Sequence, residues 1–206
     1  MRLSPSIKRY IKHNFLILLL LCVPIFIIIF SYFRIQYLSS NIPAPHTPCI
    51  PTFTDGDGPY YYANAPTRNK IVPDKNNGEK LIIEGKVLKN DCKTIIPNAI
   101  LDIWQADEKG EYQKDWYRGK VRVDADGNYK FETVIPKGYG EGTAHRPPHI
   151  HFKVVVDNRV VITSEMFFPG VSGRPGFDDA YIMRLEEKNV WGKKVFYGYH
   201  DIILPL

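Results

Sequence analysis

The chain has 206 residues, and its 27 Lys and Arg against 22 Asp and Glu give a net charge of +5. Four of these bases and none of the acids lie in residues 1–14, so the rest of the chain has 27 − 4 = 23 bases against 22 acids, a net charge of +1. A domain so close to neutral lacks the basic face on which nucleic acids bind, and we expect no nucleic-acid partner.

The first predicted element is a membrane-spanning helix over residues 15–33, a run of 19 residues without a charged side chain. A helix of that length spans roughly the 30 Å apolar core of a bilayer. The basic residues 1–14 predict a cytoplasmic N-terminus by the positive-inside rule, and residues 34–48 a linker outside. We expect a single-pass membrane protein whose domain lies on the extracytoplasmic side. The alternative is a cleaved signal peptide and a secreted or periplasmic protein, although the apolar run is long for a signal peptide.

Cysteine usage agrees with export. Cys22 lies in the apolar run, which leaves Cys49 and Cys92 as a pair in the exported part of the chain. An oxidising compartment would permit a disulfide between them, and the alternative is two unrelated thiols.

Residues 49–206 form one predicted domain, which opens with a proline-rich segment that favours loops. Short β-rich runs divided by turn signals follow, and Asp126-Gly127 and Asp157-Asn158 are typical of hairpin turns. One helix is predicted, over about Asp178–Lys188, with Asp178 as its N-cap. The fold class is therefore all-β: a β-sandwich with long loops, preceded by one N-terminal transmembrane helix. The predicted strands are Leu81–Leu88, Ala99–Trp104, Val121–Val123, Tyr129–Val134, His149–Val156, Val160–Phe168 and Val195–Leu204.

The predicted strand that begins at His149 carries a candidate metal-binding pair. Side chains alternate along a strand, so Ile150 and Phe152 face a core while His149 and His151 face the other way together. Their Cα atoms are then roughly 7 Å apart, close enough for both imidazoles to bind one metal ion. The alternative is two surface or hydrogen-bonded histidines, unless other ligands converge on the pair. No acidic residue clusters near them in the sequence, so a centre of two histidines and one carboxylate is not indicated.

Two tyrosines in predicted loops are candidates for the remaining ligands. Tyr112 follows the strand Ala99–Trp104, and Tyr139 lies in a glycine-flanked loop before His149. A phenol with an ordinary pKa near 10 ionises at neutral pH only beside a strong Lewis acid, and its phenolate oxygen is a hard ligand. Tyrosine ligands therefore favour ferric iron over zinc. The alternative for each tyrosine is packed aromatic surface.

Several motifs follow one another in order after residue 48. They are Gly58-Pro59-Tyr60-Tyr61, Ile103-Trp104-Gln105-Ala106 with Gly110-x-Tyr112, Asp126-Gly127-x-Tyr129, Pro136-x-x-Tyr139, Arg146-Pro147-x-His149-Ile150-His151-Phe152 and Tyr199-His200-Asp201. In order and approximate spacing they resemble the intradiol ring-cleavage dioxygenases, the family of protocatechuate 3,4-dioxygenase and catechol 1,2-dioxygenase.

The resemblance implies a non-haem ferric ion, Fe(III), as cofactor, bound by Tyr112, Tyr139, His149 and His151. It also implies a catalytic role for Tyr139, which leaves the metal when substrate binds. Arg146 would stabilise negative charge that develops on the substrate ring, with a salt bridge at the strand end as its alternative. The implied reaction joins a small aromatic diol and O2 to give a cis,cis-muconate-type diacid.

Three further residues extend the candidate site. Pro59 and Tyr60 match positions that line the substrate pocket in the family, with a structural loop role as the alternative. Glu165 stands where relatives often carry glutamine, and a carboxylate near the iron would change hydrogen bonding and charge. Two other functions remain open: an exported binding module for aromatic or sugar ligands without turnover, and a structural envelope protein that holds no iron. The oligomeric state is open, with a homo-oligomer among the alternatives.

Overall fold

The structure, a computed structural model, describes residues 49–142, 145–170 and 181–206. The predicted cytoplasmic N-terminus, membrane helix and linker, residues 1–48, lie outside the described residues. Where the chain is described, none of its helical segments is long and apolar enough to cross a membrane.

Nine β-strands account for the regular structure of the described residues, which confirms the all-β prediction there. The predicted run Val195–Leu204 is two strands, because the chain leaves the ladder at His200 and Asp201. The Asp201 carboxylate accepts a hydrogen bond from the Lys86 amide at 2.8 Å at this break. The strands are β1 (Lys80–Lys89), β2 (Ile100–Gln105), β3 (Arg118–Arg122), β4 (Asn128–Val134), β5 (His149–Val156), β6 (Arg159–Phe167), β7 (Arg184–Val190), β8 (Lys193–Tyr199) and β9 (Ile202–Leu204).

The strands form two sheets that share one apolar core. The first sheet has the order β4-β1-β8-β7, with β9 paired to β1, and the second has the order β3-β2-β5-β6. One buried cluster contains Leu81 and Ile83 of the first sheet together with Ile103, Ile150 and Phe152 of the second. This arrangement is the predicted β-sandwich.

Strand β5 shows the predicted alternation. Ile150, Phe152 and Val154 are fully buried in the shared core. His149 and His151 lie on the opposite face, where they too are buried, with 2% and 3% of their surface exposed. The covering comes from the segment before β1, since a Cβ placed on Gly58 would lie only 3.5 Å from the His151 ring.

Of the two predicted hairpin turns, Asp157-Asn158 is confirmed, because it joins the antiparallel neighbours β5 and β6. The hairpin predicted at Asp126-Gly127 is wrong: a turn is present there, but it joins β3 of one sheet to β4 of the other. Gly127 has a φ of 77° in the β3–β4 turn, and Asp157 and Asn158 have φ values of 48° and 61° in the β5–β6 turn. Two successive left-handed residues match the twist of the flanking strands, and Asn and Asp tolerate this conformation better than most residues. The Asp157-Asn158 turn thus brings β5 and β6 together as a hairpin, and the Asp126-Gly127 turn carries the chain from one sheet to the other.

The helix predicted over Asp178–Lys188 is wrong where the structure describes it. Arg184–Val190 is strand β7, which pairs antiparallel with β8 along its whole length. Leu, Glu and Lys favour a helix locally, but the segment lies at the edge of the sheet, where its backbone forms a ladder of hydrogen bonds with β8. Trp191 and Gly192, with φ values of 53° and 76°, close a tight hairpin that fixes this pairing. Residues 178–180 lie outside the described residues.

The segment between residue 49 and β1 is held by both sheets. The Thr52 amide donates to the Ile203 carbonyl of β9 at 2.9 Å, and the Asp55 amide donates to the Thr163 carbonyl of β6 at 2.8 Å. A disulfide joins Cys49 at the start of this segment to Cys92 in the β1–β2 loop. The chain is therefore anchored before it passes over the outer face of β5.

Candidate metal centre

The two histidines of β5 converge at one point. His149 Nε2 and His151 Nε2 are 3.1 Å apart, although their Cα atoms are two residues apart along the strand. His149 Nδ1 lies 2.6 Å from the Pro147 carbonyl oxygen, so this nitrogen carries the proton and donates it. The Nε2 atom of His149 then holds a lone pair that faces the site, which is the tautomer that a metal requires.

Tyr112 reaches the histidines from the loop after β2. The Asp107 carboxylate shapes this loop, because it accepts hydrogen bonds from the Lys109 and Glu111 amides at 2.9 and 3.0 Å. A bridge between Ala106 and Tyr112 closes the loop. As a result, the Tyr112 phenol oxygen lies 3.4 Å from His149 Nε2.

Tyr139 reaches the same point from the loop that precedes β5. It pairs with Arg146 through two backbone hydrogen bonds of 3.0 and 2.7 Å, which hold the loop against the start of the His strand. The Tyr139 ring centroid lies 5.5 Å from that of Tyr112 and 5.7 Å from that of His149. The structure therefore brings together all four residues that the resemblance implies as ligands.

Burial favours the neutral forms of Tyr112 and His151. Burial raises the pKa of Tyr112 well above its ordinary value of 10, and its hydrogen bond to Tyr139 raises it further. Burial, with smaller contributions from His149 and Arg146, lowers the pKa of His151 to about 3. The protein alone thus disfavours the phenolate of Tyr112, so its ionisation needs a strong cation in direct contact.

The donor set fits a metal ion of high charge. Two ligand atoms about 2.1 Å from one ion and at about a right angle to each other are separated by roughly 3 Å, and the His149–His151 nitrogens have that separation. Two imidazole nitrogens and two hard phenolic oxygens suit ferric iron better than soft metals. The residues present therefore fit the group that the resemblance implies.

An acidic residue also lies at this centre, which corrects the expectation, drawn from the local sequence, that a centre of two histidines and one carboxylate is not indicated. The residue is Glu165, which the resemblance had placed near the iron. Glu165 of β6 is directly opposite His151 and is 2% exposed. Its Oε1 atom accepts a hydrogen bond from Arg146 Nη2 and lies 3.3 Å from His151 Nδ1 and 3.9 Å from His149 Nε2. His149, His151 and Glu165 thus form a second combination of groups that could hold a metal. Cross-strand pairing, rather than proximity in sequence, puts the carboxylate there.

Tyr60 lies at the solvent side of the centre. Its ring stacks on Tyr112 with centroids 4.4 Å apart and meets Tyr139 edge-on at 5.8 Å. Its exposed fraction of 38% fits a residue at the mouth of the site. Pro59 precedes it and is exposed, while Gly58 has a φ of 66° and brings the backbone against His151. The positive φ at this position favours glycine, because residues with a Cβ rarely adopt it.

One cluster of side chains around the centre was not predicted from the sequence. Trp104 of β2 stacks flat on His151, with ring centroids 4.9 Å apart, and Tyr61 packs edge-on against Trp104 at 4.8 Å. The Tyr61 phenol donates to the Asp102 carboxylate at 3.0 Å, and the Lys153 ammonium lies 3.7 Å from the Tyr61 ring centroid. Pairing the polar faces of β2 and β5 residue by residue could have found this group.

Comparison with known proteins agrees with this geometry. The family described as "Dioxygenase" matches residues 56–183, more than half of the chain. The protocatechuate 3,4-dioxygenase beta chain of Burkholderia cepacia is 31% identical over 168 residues, which cover 68% of this chain and 70% of that one. The chain belongs to the intradiol dioxygenase family. The family match includes all four candidate ligands together with Arg146 and Glu165.

Other members of the intradiol dioxygenase family are similar over shorter stretches. The chlorocatechol 1,2-dioxygenase of Pseudomonas putida is 31% identical over 136 residues, which cover 55% of this chain and 52% of the relative. The chain thus spans about half the length of such relatives. Among solved structures, the dioxygenase domain of a dioxygenase carbohydrate-binding protein fusion from Streptomyces sp. SirexAA-E is 29% identical. It has a TM-score of 0.64 and covers 76% of this chain and 99% of that domain.

Proposed function

We propose that this protein is a non-haem Fe(III)-dependent intradiol dioxygenase that cleaves the aromatic ring of a catechol-type substrate with O2 to a cis,cis-muconate-type diacid. The observation that carries the proposal is the convergence of two phenols and two imidazoles from three separate parts of the chain on one buried point. A binding module for aromatic or sugar ligands has no chemical need for that set, and membership of the family supports catalysis.

Each residue has a defined part in the proposed reaction. A ferric ion bound by Tyr112, Tyr139, His149 and His151 would supply Lewis acidity to a catechol that binds through both of its oxygens. Tyr139 would accept one of the two phenolic protons of the catechol at its phenol oxygen as it gives up its place to the substrate, and the other proton would pass to solvent. Arg146 would hold positive charge where negative charge develops on the ring.

The remaining residues would shape the substrate pocket and orient one of the ligands. Tyr60 and Pro59 would line the substrate pocket, and Trp104 would keep the His151 ring in its orientation by stacking on it. Both atoms of O2 enter the product, so the reaction needs no external reductant.

A visible absorption spectrum of the purified, iron-loaded protein tests the proposal. Phenolate bound to ferric iron absorbs in the visible, and anaerobic addition of catechol should shift the band. The band should weaken in Tyr112→Phe and in Tyr139→Phe, whereas Tyr197→Phe, on β8 of the other sheet, should leave it unchanged. A protein that stays colourless after reconstitution with iron would contradict the proposal and favour the binding module.

We also propose that the domain works outside the cytoplasm, held by the apolar segment 15–33 or released after its cleavage. The disulfide between Cys49 and Cys92 supports an oxidising compartment, since such bonds are rare in the cytosol. Protease added to spheroplasts should degrade the domain and spare an N-terminal tag. A domain protected from protease together with an accessible N-terminus would contradict this topology.

A further inference from the structure

A buried ion pair lies beside the candidate ligands. Arg146 Nη2 donates to Glu165 Oε1, and the same oxygen lies 3.3 Å from His151 Nδ1. The Glu165 side chain is 2% exposed, whereas that of Arg146 is 28% exposed. A guanidinium that donates to a carboxylate forms a charge-assisted hydrogen bond, which is among the stronger kinds in proteins. The pair therefore adds one negative and one positive charge to the site.

Acidic side chains balance the two cations on the side of the centre formed by β5 and the loop before it. Arg146 is balanced by Glu165, and Lys153, the next cation along the same face of β5, is balanced by Asp57 at 2.7 Å. A catechol dianion and one tyrosinate together balance a trivalent ion. A catechol without other charges would thus leave the charges of the ion, its ligands, Arg146 and Glu165 balanced, whereas a carboxylate on its ring would add an uncompensated negative charge beside them.

We propose that Glu165 is a specificity-determining residue that makes the site select catechols without an anionic substituent on the ring. The inference rests on the proposed function and names the substrate class of that same site. With an amide at position 165, the charge of Arg146 would be available to an anionic substituent. At a separation of about 8 Å and an effective dielectric constant of about 20, one unit charge changes a binding constant by roughly thirty-fold.

Two catechols of nearly the same shape provide the test: 3,4-dihydroxybenzoate, which is anionic, and 3,4-dihydroxybenzamide, which is neutral. Their anaerobic binding to the iron-loaded full-length protein is followed through the visible band, and the readout is the ratio of the two Kd values. We expect the wild type to bind the amide at least tenfold more tightly than the acid. In E165Q this ratio should fall by at least tenfold.

Matched variants separate a charge effect from a structural one. E165D keeps the charge and should keep the wild-type preference for the amide. E187Q removes the same charge from the exposed strand β7 and should leave the ratio unchanged. Thermal unfolding of each variant checks that it is folded.

The outcomes are distinguishable. A wild type that binds the acid as tightly as the amide overturns the proposal, whether or not E165Q folds. A folded E165Q protein that keeps the wild-type ratio also overturns it. If neither compound changes the visible spectrum of the iron-loaded wild type, the proposed dioxygenase function fails and this inference fails with it.

Discussion

The disulfide between Cys49 and Cys92 should contribute a large part of the stability of the domain. The two cysteines are 43 residues apart in the chain. Closing a loop of this length removes conformational entropy from the unfolded chain, which corresponds to about 4 kcal/mol at 25 °C. With a urea m-value of about 2 kcal/mol/M, the double variant Cys49→Ser/Cys92→Ser should unfold at a urea concentration roughly 2 M lower.

A second variant shows whether the disulfide acts through the unfolded state. Thr52, three residues after Cys49, accepts a hydrogen bond from the buried Ile203 amide at 2.9 Å. Thr52→Val should cost about 1–2 kcal/mol, because it leaves that amide without its acceptor. If the disulfide only restricts the unfolded chain, the two losses should add when the changes are combined.

The free energy of unfolding is measured in urea for four proteins. They are the wild type, the double cysteine variant, Thr52→Val and the combination of the two changes. Wild type in a reducing agent serves as a control for the serine substitutions. A double cysteine variant that unfolds at the wild-type urea concentration would refute the entropic argument. Losses that do not add would show instead that the disulfide holds the native segment before β1 in place.

Three further outcomes are expected. Burial lowers the pKa of His200 from 6.5 to about 4, so the unfolded chain binds the proton more tightly than the folded chain does. The contribution of neutral His200 to the free energy of unfolding should therefore be complete above about pH 6.5. It should fall by roughly 3 kcal/mol as the pH drops to about 4. His200→Gln should flatten that slope in urea unfolding at a series of pH values. A Cβ on Gly85 would lie 1.9 Å from the His200 carbonyl oxygen, whereas one on Gly198 would meet the movable Met183 sulfur at 2.8 Å. Thermal unfolding should therefore show a much larger loss for Gly85→Ala than for Gly198→Ala. Removal of iron by a chelator should lower the Tm of the loaded protein, because a ligand that binds only the folded state stabilises it; an unchanged Tm would count against the site.

The sheets of this domain are predictable from sequence because their strands alternate strongly or are bounded by clear turns. The predicted strand His149–Val156 has the bounds of β5. Its apolar residues Ile150, Phe152 and Val154 define the core face without reference to any other strand. Strand β7 has no such pattern. Its residues 184–190 are mostly charged, and only pairing with β8 makes them a strand.

The candidate ligands are also predictable, but through a different signal. His149 and His151 follow from alternation on one strand. Tyr112 and Tyr139 lie on loops, and alternation places neither of them. The resemblance to a family identified them, and the structure brings their rings together at 5.5 Å.

The position of Glu165 depends on an irregularity that no sequence pattern indicates. At the turn, Val156 pairs with Arg159 and Val155 with Val160, and a regular ladder would continue to His151 opposite Ser164. Glu165 would then point into the core. The register shifts by one residue between Val154 and Val155, which puts Glu165 opposite His151 instead. One bulged residue moves every later side chain of a strand to the other face. The charge of the candidate metal centre, and with it the proposed preference for neutral catechols, thus depends on a one-residue bulge in the β5–β6 ladder.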